Sequence, residues 1–173
     1  ADKFDEKEQK QLKMIEHVLS QAQSEMRALL LHLRPISLES KSLKSGIEGL
    51  LVELQTKVQM KIHWDIEDVK LPEGVEDHLF RIAQELLSNT LRHSHATTLE
   101  VYLRQLDSTV LFKIEDNGVG FNSEEILPGS YGINNMKERV QGLGGQVRIV
   151  SFPNQGTTIE IKIPLSRHME DEQ

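Results

Sequence analysis

The 173-residue chain has no cysteine, a single tryptophan, an aromatic share of only 5%, and no long apolar run. Without thiols there can be neither a disulfide framework nor a thiolate metal site, which fits a reducing compartment. The densest apolar stretch, Ala28-Leu29-Leu30-Leu31, falls far short of the ~18 residues that would span a bilayer. The opening Ala1-Asp2-Lys3-Phe4-Asp5-Glu6 is not the basic-then-apolar pattern of a signal peptide. Basic residues are outnumbered, with a net charge of −7, and no Lys/Arg cluster offers a nucleic-acid surface. None of the seven histidines shows H-E-x-x-H or other paired ligand spacing, which argues against zinc. With few aromatics, aliphatic packing must build the core. The chain begins without Met and is read as a piece of a longer protein.

What is present is periodicity. Residues from about Glu8 to Arg34 form one uninterrupted helical pattern. Leu12, Ile15, Leu19, Ala22, Met26, Leu29 and Leu33 recur at 3-4-3-4 spacing, a coiled-coil or bundle seam. Such a helix needs a partner for its stripe, because an isolated helix gains little in water. Pro35 ends it. Ser37 or Glu39 opens a second helix running to about Lys61, with Leu43, Ile47, Leu50, Leu51, Leu54 and Val58 apolar. The period then changes to two. Ile62, Trp64 and Ile66 mark a strand. A third helix is expected from about Val75 to His93. Two alternating strands follow around Leu99–Leu103 and Val110–Ile114, with a turn at Asp107-Ser108. A polar loop spans Asp116 to Tyr131. A helix from about Ile133 to Gln141, then strands at Gln146–Phe152 and Thr158–Leu165, complete the order. The expected fold class is therefore α/β: a two-layer α/β sandwich with an N-terminal long helical arm.

Four segments carry chemistry. On the third helix, Glu85, Asn89 and either Arg92 or His93 share one face, apart from Leu79, Ala83, Leu86 and Leu87. An Asn oxygen is a hard ligand suited to Mg²⁺, and a cation beside it would meet phosphate. Asp116-Asn117-Gly118-Val119-Gly120 directly follows a strand. A carboxylate there can accept from the exocyclic amine of adenine, where guanine offers a carbonyl. Gly129-Ser130-Tyr131-Gly132 leads into the helix of Asn134, Met136 and Arg139, and a helix start presents free N–H groups to phosphate. Gly156-Thr157-Thr158 opens the last strand. Each admits a plain reading taken alone: a solvated helix face, a glycine-rich hairpin, a helix-start turn, a tight turn.

Together, in this order, they resemble the GHKL ATPases, a group that includes sensor histidine kinases and gyrase. Glu85-Leu86-Leu87-Ser88-Asn89-Thr90-Leu91-Arg92-His93 resembles the N box. Asp116 to Gly120 and Gly129 to Gly132 resemble the two glycine boxes. Gly156-Thr157-Thr158 resembles the closing box. Ser24 through Leu33-Arg34-Pro35 is similar to the second dimerisation helix of sensor kinases that pair with NarL-type response regulators, in the cell-envelope-stress branch of Gram-positive bacteria (LiaS or VraS type). The resemblance runs from about Gln11 to Leu165.

It implies a Bergerat-type ATP-binding fold and a division into a partial dimerisation helix (1–36), an ATP-binding catalytic domain (37–166) and a charged tail (167–173). It implies ATP and Mg²⁺ as cofactors. Asn89 would chelate the metal and Glu85 would position metal or water. Arg92 and His93 would contact phosphate, and Asp116 would select adenine. Gly118, Gly120, Gly129, Tyr131, Gly132, Met136, Thr157 and Thr158 would complete the pocket and lid. It also implies a response regulator of NarL type, homodimerisation in the full kinase, and a cytoplasmic setting in a cell-membrane parent. Kinases of this branch carry the phosphoacceptor as His followed by Asp or Glu. No such pair occurs here: His17 precedes Val18 and His32 precedes Leu33. The chain is therefore expected to bind ATP without holding its own acceptor. A serine kinase of the anti-sigma class and a nucleotide-responsive dimerisation module are the alternatives.

Overall fold

The computed structural model describes residues 6–33, 42–72, 74–122 and 131–165, without the side chains of 6, 7, 32, 33 and 131. The break at Arg34-Pro35, a helix start at Ser37 or Glu39, Gly129 and Ser130, the Tyr131 side chain, the packing of His32 and the charged tail lie outside the described residues.

The element order is α1 (Glu6–Leu33), α2 (Leu43–Lys57), β1 (Lys61–Ile66), α3 (Val75–Asn89), a π turn (Thr90–Ser94), β2 (Thr98–Leu106), β3 (Thr109–Asp116), α4 (Tyr131–Gly142), β4 (Gln146–Ser151) and β5 (Thr157–Pro164). The strands form one mixed sheet in the order β1-β2-β3-β5-β4, with only the β1–β2 pair parallel.

Alternation decides which side of the sheet is covered. The register aligns Trp64, Val101, Ile114, Ile159 and Ile149 in one row across all five strands. Leu103, Phe112, Ile161 and Val147 form the next. These side chains pack with Leu50, Leu54, Leu79, Ile82, Leu86 and Val140 from the helices into one core. The opposite face is polar. There Arg104 pairs with Asp65, Lys113 with Glu115 at 2.6 Å, and Lys162 with Glu160 at 3.2 Å. One helical layer on one sheet face is the expected sandwich.

Helix α2 buries Leu43, Ile47, Leu50, Leu51 and Leu54, an i, i+4, i+7 stripe, behind an N-cap at Ser42. It ends at Lys57 rather than near Lys61. Val58 is already extended, and the Lys61 N–H donates to the Thr97 carbonyl at 2.9 Å. Pairing with β2 takes over backbone groups that a longer helix would have used.

Helix α3 also differs from expectation: its last residues, Thr90–Ser94, form a π turn. The Thr90 hydroxyl donates to the Leu86 carbonyl at 3.1 Å, and the Ser94 hydroxyl to the Thr90 carbonyl at 2.7 Å. Such side-chain donors to the preceding turn, and one extra residue per turn, are typical where a helix is locally widened. The chain then leaves through His95 at φ 50°.

The arm packs by a different stripe from the seam. Ala28 and Leu31 are buried, while Leu12, Ile15, Leu19, Met26 and Leu29 are 42–64% exposed. The Gln84 Nε2 donates to the Leu31 carbonyl at 2.7 Å, a buried bond across 53 residues of sequence. Truncating Ile161, fully buried on the interior strand β5, to alanine is expected to cost about 2–5 kcal/mol in chemical denaturation. The same measurement on Leu19→Ala, at concentrations where the chain is monomeric, is expected to move stability by less than about 0.5 kcal/mol.

Candidate functional site

The site is built where β3 ends beside the C-terminal end of α3. In β3, Val110, Phe112 and Ile114 point inward, and Asp116 is the next residue of that alternation. Its carboxylate therefore lies on the helix-facing side of the sheet, 7% exposed. Oδ1 accepts from the Gly118 N–H at 2.8 Å. Burial pushes the Asp116 carboxyl above its ordinary range, and hydrogen bonds from the Gly118 and Thr157 backbones pull it partly back. Among the described residues no cation pairs with it. A buried carboxylate without a counter-charge is costly and suggests a ligand that donates to it.

The turn after Asp116 is fastened on both sides. Asn117 Oδ1 accepts from the Thr97 and Thr98 N–H groups, each at 2.9 Å. The Val119 N–H donates to the Ser94 carbonyl at 2.7 Å, and the Asn154 N–H to the Val119 carbonyl at 2.6 Å. Gly118 passes so close to the π turn that a Cβ there would lie 2.1 Å from the Ser94 carbonyl oxygen. Only glycine allows this approach. Gly120, at φ 56°, sits against the Phe152 carbonyl on the β4–β5 turn. Ser151, buried, ties the same corner: its Oγ accepts from the Phe121 N–H at 2.9 Å and donates to the Gly156 carbonyl at 3.1 Å.

The α3 side supplies Glu85 and Asn89, both half-buried one turn apart. Gly132, in the first turn of α4, lies directly against them. A Cβ there would fall 2.1 Å from Glu85 Oε1 and 3.2 Å from Asn89 Nδ2. The start of α4 is thus seated on the carboxylate–amide pair. Beyond it a cleft between α3 and α4 is lined by Arg81, Gln84, Glu85, Asn135, Met136 and Arg139. Met136 is its buried floor.

The structure therefore brings together Glu85, Asn89, Gly132 and Met136 on one side, and Asp116, Gly118, Gly120 and Thr157 on the other. Thr157 is paired with Asp116 in the sheet register, and its hydroxyl lies 2.8 Å from the Ser151 hydroxyl. It thus stands at the carboxylate end of the site. Thr158 is opposite Glu115, on the alternate side of the strand. His93 is exposed on the π turn. Arg92 Nε lies 3.2 Å from Glu25 Oε2 of the arm. Sequence reasoning missed Glu25, Asn117 and Ser151. Asn117 was readable as a turn residue with side-chain hydrogen-bonding capacity, but Glu25 carried no signal. No cluster of three or more His, Asp or Glu among the described residues could hold a metal by itself.

Gly118→Ala is expected to cost about 1–3 kcal/mol in urea denaturation, since the added methyl meets backbone rather than a movable side chain. Asp116 has a second, pH-dependent signature. Its carboxyl is raised in the folded state, so the folded chain binds more protons than the unfolded one above the ordinary Asp range. Its share of stability falls as pH rises from that range through the folded value. Asp116→Asn is expected to remove that downward contribution and to leave the chain at least as stable near pH 7, checked by denaturation at several pH values.

Residues 74–167 match the family described as histidine kinase-, DNA gyrase B-, and HSP90-like ATPase. Curated relatives include the sensor protein VraS of Staphylococcus haemolyticus and that of Staphylococcus aureus. Each is 52% identical over 157 residues, covering 91% of this chain and 45% of the relative. The chain thus spans less than half the length of those relatives. Among solved structures, the histidine kinase domain of the blue-light activated kinase from Erythrobacter litoralis EL346 shares the fold. Its TM-score is 0.66 at 19% identity, over 75% of this chain and 64% of that one. A mycobacterial sensor histidine kinase, MprB, gives a TM-score of 0.58 at 22% identity, over 69% and 92%. The buried carboxylate, the fastened glycine turn and the seat under α4 all fall within the matched residues, and the chain belongs to the histidine kinase-, gyrase B- and HSP90-like ATPase family.

Proposed function

We propose that the chain is the ATP-binding catalytic portion of a two-component sensor histidine kinase, with a dimerisation helix as its arm. The observation that carries this is Asp116, a buried carboxylate with no cation against it among the described residues, facing the helical layer at the end of β3. The exocyclic amine of adenine would satisfy it, and guanine would not. Glu85 and Asn89, seated against Gly132, form the polar end of the same site. Their oxygens suit Mg²⁺, which takes one or two protein oxygens and fills its remaining positions from phosphates and water. The ion would supply charge neutralisation on the phosphates. The residues' own task is positioning, the larger part of phosphoryl-transfer catalysis.

The phosphoryl group would pass to a histidine followed by an acidic residue, a pair this sequence does not contain, and then to the aspartate of a response regulator of NarL type. The exposed stripe from Leu12 to Leu29 is suited to pairing with a second copy. No helix among the described residues is long and apolar enough to cross a membrane; a membrane parent is inferred from the sensor kinases it resembles. The relatives match over 91% of the chain, which takes in at least part of the arm. That extent favours a sensor kinase over a serine kinase of the anti-sigma class.

Asp116→Asn is expected to weaken binding of ATP and of adenosine by at least tenfold in calorimetry while circular dichroism stays unchanged. Wild-type affinity in that variant would sink the pocket assignment. Incubation with γ-labelled ATP is expected to leave the chain unlabelled, and label at His17 or His32 would show that it carries its own acceptor.

A further inference from the structure

The arm and the pocket meet at one ion pair. Arg92 lies on the π turn, three residues beyond Asn89, with its Nε closed off from solvent. That Nε is 3.2 Å from Glu25 Oε2, yet it makes no directed hydrogen bond. A desolvated guanidinium edge in a loose contact is poorly satisfied and stands to gain from a better acceptor. Glu25 is about half exposed, so its carboxylate can return to water at low cost. The second tether, Gln84 to the Leu31 carbonyl, holds the arm antiparallel along α3. From Glu25 to Leu31 the arm advances six residues, while α3 and its π turn run back from Arg92 to Gln84. The contact at Arg92 can therefore open without undocking the arm, since Ala28 and Leu31 remain buried.

We propose that Glu25 is a positioning residue of the nucleotide site, acting through Arg92: it holds the guanidinium on the arm and so lowers the affinity for the phosphate chain. The proposal rests on the nucleotide reading of the pocket. Carboxylate and phosphate compete for one cation, and a phosphate offers the paired acceptor geometry that the present contact lacks. The coupling is reciprocal. Whatever Glu25 takes from ATP affinity, bound ATP takes from the Glu25 contact. The effect is confined to phosphate, because among the described residues no ion pair or hydrogen bond joins Arg92 to Asp116.

The test measures ATP and adenosine binding to the whole chain by calorimetry, for wild type, Glu25→Gln, Arg92→Gln and the double variant. Losing a partly exposed ion pair should raise ATP affinity in Glu25→Gln by about twofold to fivefold. Adenosine affinity should not change. Arg92→Gln should weaken ATP alone, and adding Glu25→Gln to it should then have no effect. Glu25→Asp should keep most of the wild-type restraint. Unchanged or lower ATP affinity in Glu25→Gln overturns the proposal. So does an equal shift for adenosine, or a gain that persists in the Arg92→Gln background. Loss of both ligands in Asp116→Asn is independent of these outcomes, so failure of the pocket reading and failure of this coupling are separable.

Discussion

The site depends on a carboxylate placed where a core side chain would otherwise be. Asp116 continues the inward alternation of β3, one step beyond Ile114, and so occupies a row shared with Leu99 and Thr157. Burying it raises the free energy of its charged form. The surrounding turn offsets part of that cost with backbone N–H donors from Gly118 and Thr157. Those donors are available only if the turn is held open in one shape. Asn117, Val119 and the Ser151 corner supply that shape through bonds to three separate parts of the chain. The fold thus concentrates its local restraints around the group that is least comfortable in it.

On the other side of the site, restraint comes from close packing. Gly132 leaves no room between the start of α4 and the Glu85–Asn89 pair. Whatever moves α4 moves its contact with those two residues. The arm enters the same arrangement from behind, on the flank of α3 marked by Gln84 and Arg92. One helix therefore carries contacts to the core, to the arm and to the start of α4.

Much of this was legible from periodicity. The change from 3.6 to 2 at Ile62, the alternation in β2 and β3, and the turn at Asp107 located the elements to within a few residues. The alternation through Val110, Phe112 and Ile114 even implied the side on which Asp116 falls. Three features were not legible, each for a physical reason. The π turn comes with hydroxyl-to-carbonyl bonds at Thr90 and Ser94, which leave no trace in apolar spacing. Helix α2 ends early because Lys61 is claimed by a partner strand 37 residues away. The docking face of the arm, around Ala28 and Leu31, is a weaker stripe than the Leu12–Leu29 seam. It is selected by shape against α3 and by a carbonyl bond that no side chain announces.

The π turn also constrains how this sequence can vary. It holds one residue more than an α-helical turn would need, and that extra residue carries the Ser94 carbonyl to the Val119 N–H and against Gly118. Exchanging side chains here leaves the backbone count intact. Removing a single residue between Thr90 and Ser94 would let the helix close into regular α geometry, rotate everything beyond it by about 100°, and draw that carbonyl away from the glycine turn. In this segment chain length is the stricter requirement, and related sequences should drift in composition there well before they tolerate a gap.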